Sequence, residues 1–104
     1  MRSIFLFLFS ISTSLLFAQE NITVDCTAGP VSTTFCYMTG DDNSFVITSN
    51  DGSALNLSID EGQVESFWDE FIVLDSDGSE LYNGYGDGGD VSGLTFQSLG
   101  DSLT

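Results

Sequence analysis

The stretch ESFWDEFIVLDSDGSELYNG, Glu65 to Gly84, sets the carboxylates Glu65, Asp69, Glu70, Asp75 and Asp77 around an apolar run. Acids so placed can hold a hard cation or form turns. Calcium takes six to eight oxygens at about 2.3–2.6 Å, so several carboxylates must converge. Glu65 and Asp69 stand four residues apart, at a spacing that lets them converge if Glu65 folds back. Asp75-Ser76-Asp77-Gly78 has the opening of a calcium loop, but Gly86 stands where a full twelve-residue loop needs its last acid. Asp-Gly is also the dipeptide that a tight hairpin favours, and Asp75 and Asp77 are assigned to the turn.

Composition excludes most other chemistry. The chain has 16 Asp and Glu against one Lys or Arg and no His, for a net charge of −15. Its one cation is Arg2, followed by the apolar run IFLFLFSISTSLLFA. A cation, an apolar core and a small residue at Ala18 form the pattern of a secretory signal peptide, shorter and richer in Ser and Thr than a membrane span. The expected layout is a signal peptide over 1–18 and one exported domain over 19–104, with no membrane insertion after its removal.

Residues 19–104 contain no Lys, Arg or His. They cannot neutralise a phosphate backbone, which excludes nucleic acid, and anionic lipid repels them. A Ser or Cys triad, a Schiff base and phosphoryl transfer all lack their basic groups. A carboxylate pair could hydrolyse a glycoside, but a domain this small hardly supplies the cleft. No catalytic residue is assigned. Cys26 and Cys36, an even pair in an exported domain, are expected to form one disulfide, which adds roughly 2–3 kcal/mol for a ten-residue loop.

The elements that must position the acids are strands. Apolar residues alternate in SFVITS (Phe45, Ile47), in ALNLSI (Leu55, Leu57, Ile59) and in GLTFQS (Leu94, Phe96). Asp51-Gly52 predicts a hairpin between the first two, and Asp77-Gly78 another into ELYNG. Phe71 to Leu74 run without alternation, which predicts a strand covered on both faces. YGDGGDVSG reads as a flexible loop. Short strands at regular spacing predict an all-β sandwich. Asp101 to Thr104 resembles the opening of a further strand, so the sequence is expected to be the N-terminal part of a longer protein.

Three segments, CTAGP…TTFCY, SFVITSNDGSALNLSIDEGQVES and FWDEFIVLDSDGSELYNGYG, resemble a CUB domain, and more narrowly the CUB-like modules of large secreted proteins from Bacteroidetes. Trp68-Asp69 matches the aromatic-Asp pair of that family, Phe71 and Val73 its apolar positions, and Asp75 its closing acid. The resemblance implies a jelly-roll β-sandwich without its last strand or strands. It also implies a non-catalytic binding or adhesion module for an extracellular protein or glycan, at the cell surface or secreted. In calcium-binding members the family pattern implies Asp69 and Glu65 as ligands, with Glu61 the alternative and a third acid beyond Thr104. The Asn21 and Asn56 glycosylation patterns would be idle in such a bacterial host. Trp68, Tyr85, Asp87 and Asp90 are the candidate ligand-binding residues at one loop end, and Phe67, Trp68 and Tyr85 could make a sugar-stacking surface, although Trp68 beside an apolar strand also fits a core position. The rival reading is an accessory domain of a secreted hydrolase or peptidase whose catalytic part follows residue 104.

Overall fold

The computed structural model describes residues 18–38 and 40–104. Apart from Ala18, the expected signal peptide lies outside the described residues. Every regular element among them is a strand: β1 (Ala18–Val24), β2 (Asn43–Ser49), β3 (Asn56–Ser58), β4 (Phe71–Leu74), β5 (Glu80–Gly84), β6 (Thr95–Gln97) and β7 (Ser102–Leu103). They form three small sheets, ordered β1-β2-β7, β3-β6 and β4-β5. The all-β expectation holds at this level. No helix of the described residues is long and apolar enough to cross a membrane.

Pairing departs from the turn signals in one place. Asp77-Gly78 makes its hairpin: the Asp75 and Ser79 main chains bond at 2.8 Å, and β4 runs antiparallel to β5. Asp51-Gly52 does turn the chain, with Gly52 at φ 81°, but it joins two sheets. β2 pairs parallel with β1 and antiparallel with β7, and β3 pairs with β6. The turn is fixed locally instead, by the Ser49 hydroxyl on the Ser53 carbonyl (2.7 Å) and the Ser53 amide on Asp51 (2.9 Å).

The core is small. Leu55, Val73 and Leu103 are buried, with Val24, Ile47, Leu57, Phe71, Tyr82 and Phe96 packed against them. Leu55, Leu57 and Ile59 alternate with exposed neighbours, as the period of two requires. β4 alternates too: Val73 is buried while Ile72 is 41% exposed, so the expected cover on both faces is absent. Its apolar run contains one buried residue, Val73, between exposed Ile72 and half-buried Leu74.

The expected disulfide is not formed: Cys26 and Cys36 are both free and exposed. Cys26 follows β1, with its amide on the Asn50 side chain (3.3 Å) and its Sγ towards the Val24 carbonyl. Cys36 lies apart, beside Tyr37 in a shallow hollow edged by Gly62, Gln63 and Asp90. The hydrogen-bonding Asp51 carboxylate pushes the Cys26 thiol up, which disfavours the thiolate that oxidation needs.

Candidate functional site

Two loops build one end of the domain, residues 59–69 ahead of β4 and 85–93 after β5. They are laced by backbone bonds: Ile59 to Leu94 (2.9 Å), Gly93 to Ile59 (2.7 Å), Val91 to Gly62 (3.0 Å) and Val64 to Gly89 (2.8 Å). Val91 is buried beneath them at 2% exposure. A Cβ at Gly62 would meet its Cγ2 at 2.6 Å. Gly89 has φ 99°, and a Cβ there would lie 2.3 Å from the Val64 carbonyl oxygen. Only glycine allows this approach. The loop read from composition as flexible is therefore pinned.

Tyr82 ties these loops to the core. Its ring lies 6.1 Å from Phe71 and 5.7 Å from Phe96, while its hydroxyl accepts the Gly86 amide at 2.8 Å. Next to it, Asp87 and Asp90 exchange backbone hydrogen bonds of 2.9 and 3.0 Å. Asp90 accepts the Ser92 amide at 2.9 Å, and hydrogen bonding from Ser92 holds its carboxyl below the usual range. Asp90 is thus a turn acid. Asp87 stays exposed at the loop surface.

Glu65 and Asp69 share one tight turn, joined through the Glu65 main chain. The Asp69 amide donates to the Glu65 carbonyl at 3.0 Å, and the Asp69 Oδ2 accepts the Glu65 amide at 3.3 Å. The same Oδ2 accepts the Tyr37 hydroxyl at 2.5 Å, and that hydroxyl accepts the Glu65 amide at 3.2 Å. The carboxylate pushes the Tyr37 hydroxyl up, so it remains a donor. Among the described residues no group of three or more His, Cys, Asp or Glu side chains could hold a metal ion. Glu61, the alternative ligand, lies exposed at the edge of the hollow near Tyr37. Tyr37 occupies the Asp69 Oδ2, a partner no local signal reveals because it lies 32 residues away in sequence.

The turn displays aromatics. Phe67 has φ 68°, left-handed backbone that costs a bulky L-residue roughly 1–2 kcal/mol. Phe67 and Trp68 stand 80% and 82% exposed, and Phe67 lies 5.0 Å from the ring of Tyr85. The core reading of Trp68 is therefore overturned: β4 starts at Phe71, and Trp68 lies in the turn before it. Exposed Glu65 and Glu70 flank this aromatic tip in sequence. No family model, no curated protein and no solved structure matches this chain.

Proposed function

We propose that this is an exported, non-catalytic binding module, a CUB-like β-sandwich whose Phe67–Trp68–Tyr85 tip contacts a neutral glycan. The observation that carries the reading is the left-handed Phe67 in a hydrogen-bonded turn, with two large aromatics held in water beside a third. Exposing such side chains forgoes burial worth about 1.5–3 kcal/mol each, and strain of this kind concentrates at ligand sites. Aromatic faces carry negative charge, which suits the C–H face of a sugar ring. The carboxylates near them accept hydrogen bonds only, which suits sugar hydroxyls. A net charge of −15 repels anionic ligands.

Trp68 is the single tryptophan, so its fluorescence reports the site directly. Titration with neutral oligosaccharides is expected to shift its emission, and Trp68→Ala to lose retention on the matching polysaccharide by at least about tenfold, since stacking contacts and their burial contribute about 1.5 kcal/mol or more. Each titration is run in EDTA and in calcium. A response only in calcium would move the site to Asp69 and Glu65. Equal retention by Trp68→Ala would remove the aromatic tip from the binding surface, and emission shifts with extracellular proteins alone would make the ligand a protein.

A further inference from the structure

The segment after β1 lays Phe35 and Tyr37 against the two loops, and a hollow of about 620 Å³ lies between them. Its walls include Phe35, Tyr37, Glu61, Gln63, Asp90 and Ser92. Small-molecule sites span roughly 300–1,000 Å³. Both rings are fixed. Phe35 packs edge-on against Phe45 of β2 at 5.2 Å, and Tyr37 donates its hydroxyl to Asp69 at 2.5 Å. They stay 44% and 39% exposed, which leaves ring surface for a ligand. The loop wall is fixed too, since the Gly62 amide donates to the Ser92 hydroxyl at 3.0 Å and Gln63 pairs with Asp90.

The polar groups of this hollow accept hydrogen bonds. Glu61 is exposed and carries a carboxylate. Asp90 engages Oδ1 with the Ser92 amide, which leaves Oδ2 as an acceptor. Gln63 spends an Nε2 hydrogen on the Val64 carbonyl at 3.3 Å, which leaves Oε1 as another. Residues 19–104 hold no Lys, Arg or His to neutralise the two acids, so a cation here comes from outside the domain. Calcium needs six to eight oxygens with several carboxylates converging, and among the described residues no group of three or more metal-ligating side chains exists. An organic cation needs fewer carboxylates and uses the rings as well.

We propose that this hollow binds a primary alkylammonium group, the chemistry shared by a lysine side chain and a free aliphatic amine. Its three N–H donors match acceptors on Glu61, Asp90 and Gln63. Its methylene stem lies along Phe35 and Tyr37, and the negative faces of those rings attract its charge. The net charge of −15 raises the local concentration of such a cation. The site is separate from the Phe67–Trp68–Tyr85 tip and does not rest on the glycan reading.

The test is an amide NMR titration of the full chain with n-butylammonium chloride at fixed ionic strength, with n-butanol as the uncharged probe. n-Butylammonium is expected to move the Phe35, Tyr37, Gln63 and Ser92 amides along one saturating curve, and n-butanol to leave them in place. Glu61→Gln and Phe35→Leu are each expected to weaken binding by about two- to fivefold, the range of a single exposed ion-pair or cation–π contact. Tighter binding of N-acetyl-lysine amide than of n-butylammonium would support the site and assign the group to a protein partner. Tighter binding of cadaverine would support it and assign a free amine. Equal shifts with n-butanol overturn the proposal, because the hollow then offers apolar surface alone. Shifts that never saturate and spread to the Asp25 and Asp77 turns overturn it in favour of charge screening. Saturation of the same amides by calcium at lower concentration overturns it in favour of a metal site, and unchanged affinity in Glu61→Gln overturns it by removing the carboxylate's part.

Discussion

Phe67→Gly separates a displayed side chain from a structural one. At φ 68°, glycine relieves about 1–2 kcal/mol of backbone strain. What is lost is the tilted contact with Tyr85, about 0.5–1.5 kcal/mol, and little burial, because Phe67 is 80% exposed. The two effects nearly cancel, leaving stability within about 1 kcal/mol of the parent, against about 3–5 kcal/mol for truncating a buried phenylalanine. The assay is urea denaturation followed by far-UV circular dichroism, since exposed Trp68 reports unfolding poorly. With a slope of about 1 kcal/mol per molar for a domain this size, the midpoint moves by less than about 1 M. If the proposed glycan site is right, retention on that glycan is expected to fall in the same variant. A midpoint loss above about 2 M would refute the reasoning and make Phe67 a structural contact.

Asp75 is 4% exposed, and its Oδ1 accepts the Ser76 and Leu99 amides at 2.7 and 2.9 Å. Hydrogen bonds to a charged group contribute about 1.5–3 kcal/mol each, so Asp75→Ala is expected to cost about 3 kcal/mol in the same denaturation, with some relief because Oδ2 is buried without a partner. A loss below about 1 kcal/mol would show that this hub is dispensable. For pH, Asp25, Asp51, Asp77 and Asp90 sit below the usual carboxyl range because Thr27, Ser53, Ser79 and Ser92 donate to them. Groups depressed in the folded state stabilise it above the unfolded value of about 3.9, and lose this as pH falls through their folded values. Melting temperature is therefore expected to drop below about pH 4, and a flat profile from pH 4 to pH 2 would contradict these turns.

Those four acids share a spacing, Asp-x-Ser or Asp-x-Thr, that is visible in the sequence and has a local cause: a short acid bonding the amide two residues on. Strand positions were legible for the same reason, since alternation is local. ELYNG became β5 and Leu55–Leu57–Ile59 kept their common side. β1 was missed, although Ile22 and Val24 alternate with exposed Asn21 and Thr23; the polar composition of AQENITV hid them. Pairing was not legible where it joins distant segments. Nothing near Asp51-Gly52 says that β2 meets β7 and β3 meets β6. Glu65 and Asp69 share one turn through the Glu65 main chain rather than through paired carboxylates, and the partner Tyr37 and the left-handed Phe67 follow from packing, which spacing does not encode. Cys26 and Cys36 show the converse, a compositional rule overruled by where the backbone carries each thiol.

The pairing order has a consequence for when the fold can form. β2 pairs early with β1 but waits for its antiparallel partner until Ser102 and Leu103, β3 waits for Thr95 to Gln97, and the β4-β5 hairpin closes locally. Such long-range pairings make folding slow, because loop entropy is lost before contacts reward it. Until Thr95 to Leu103 are in place, β2 and β3 lack antiparallel partners and their edges stay open to pairing between molecules.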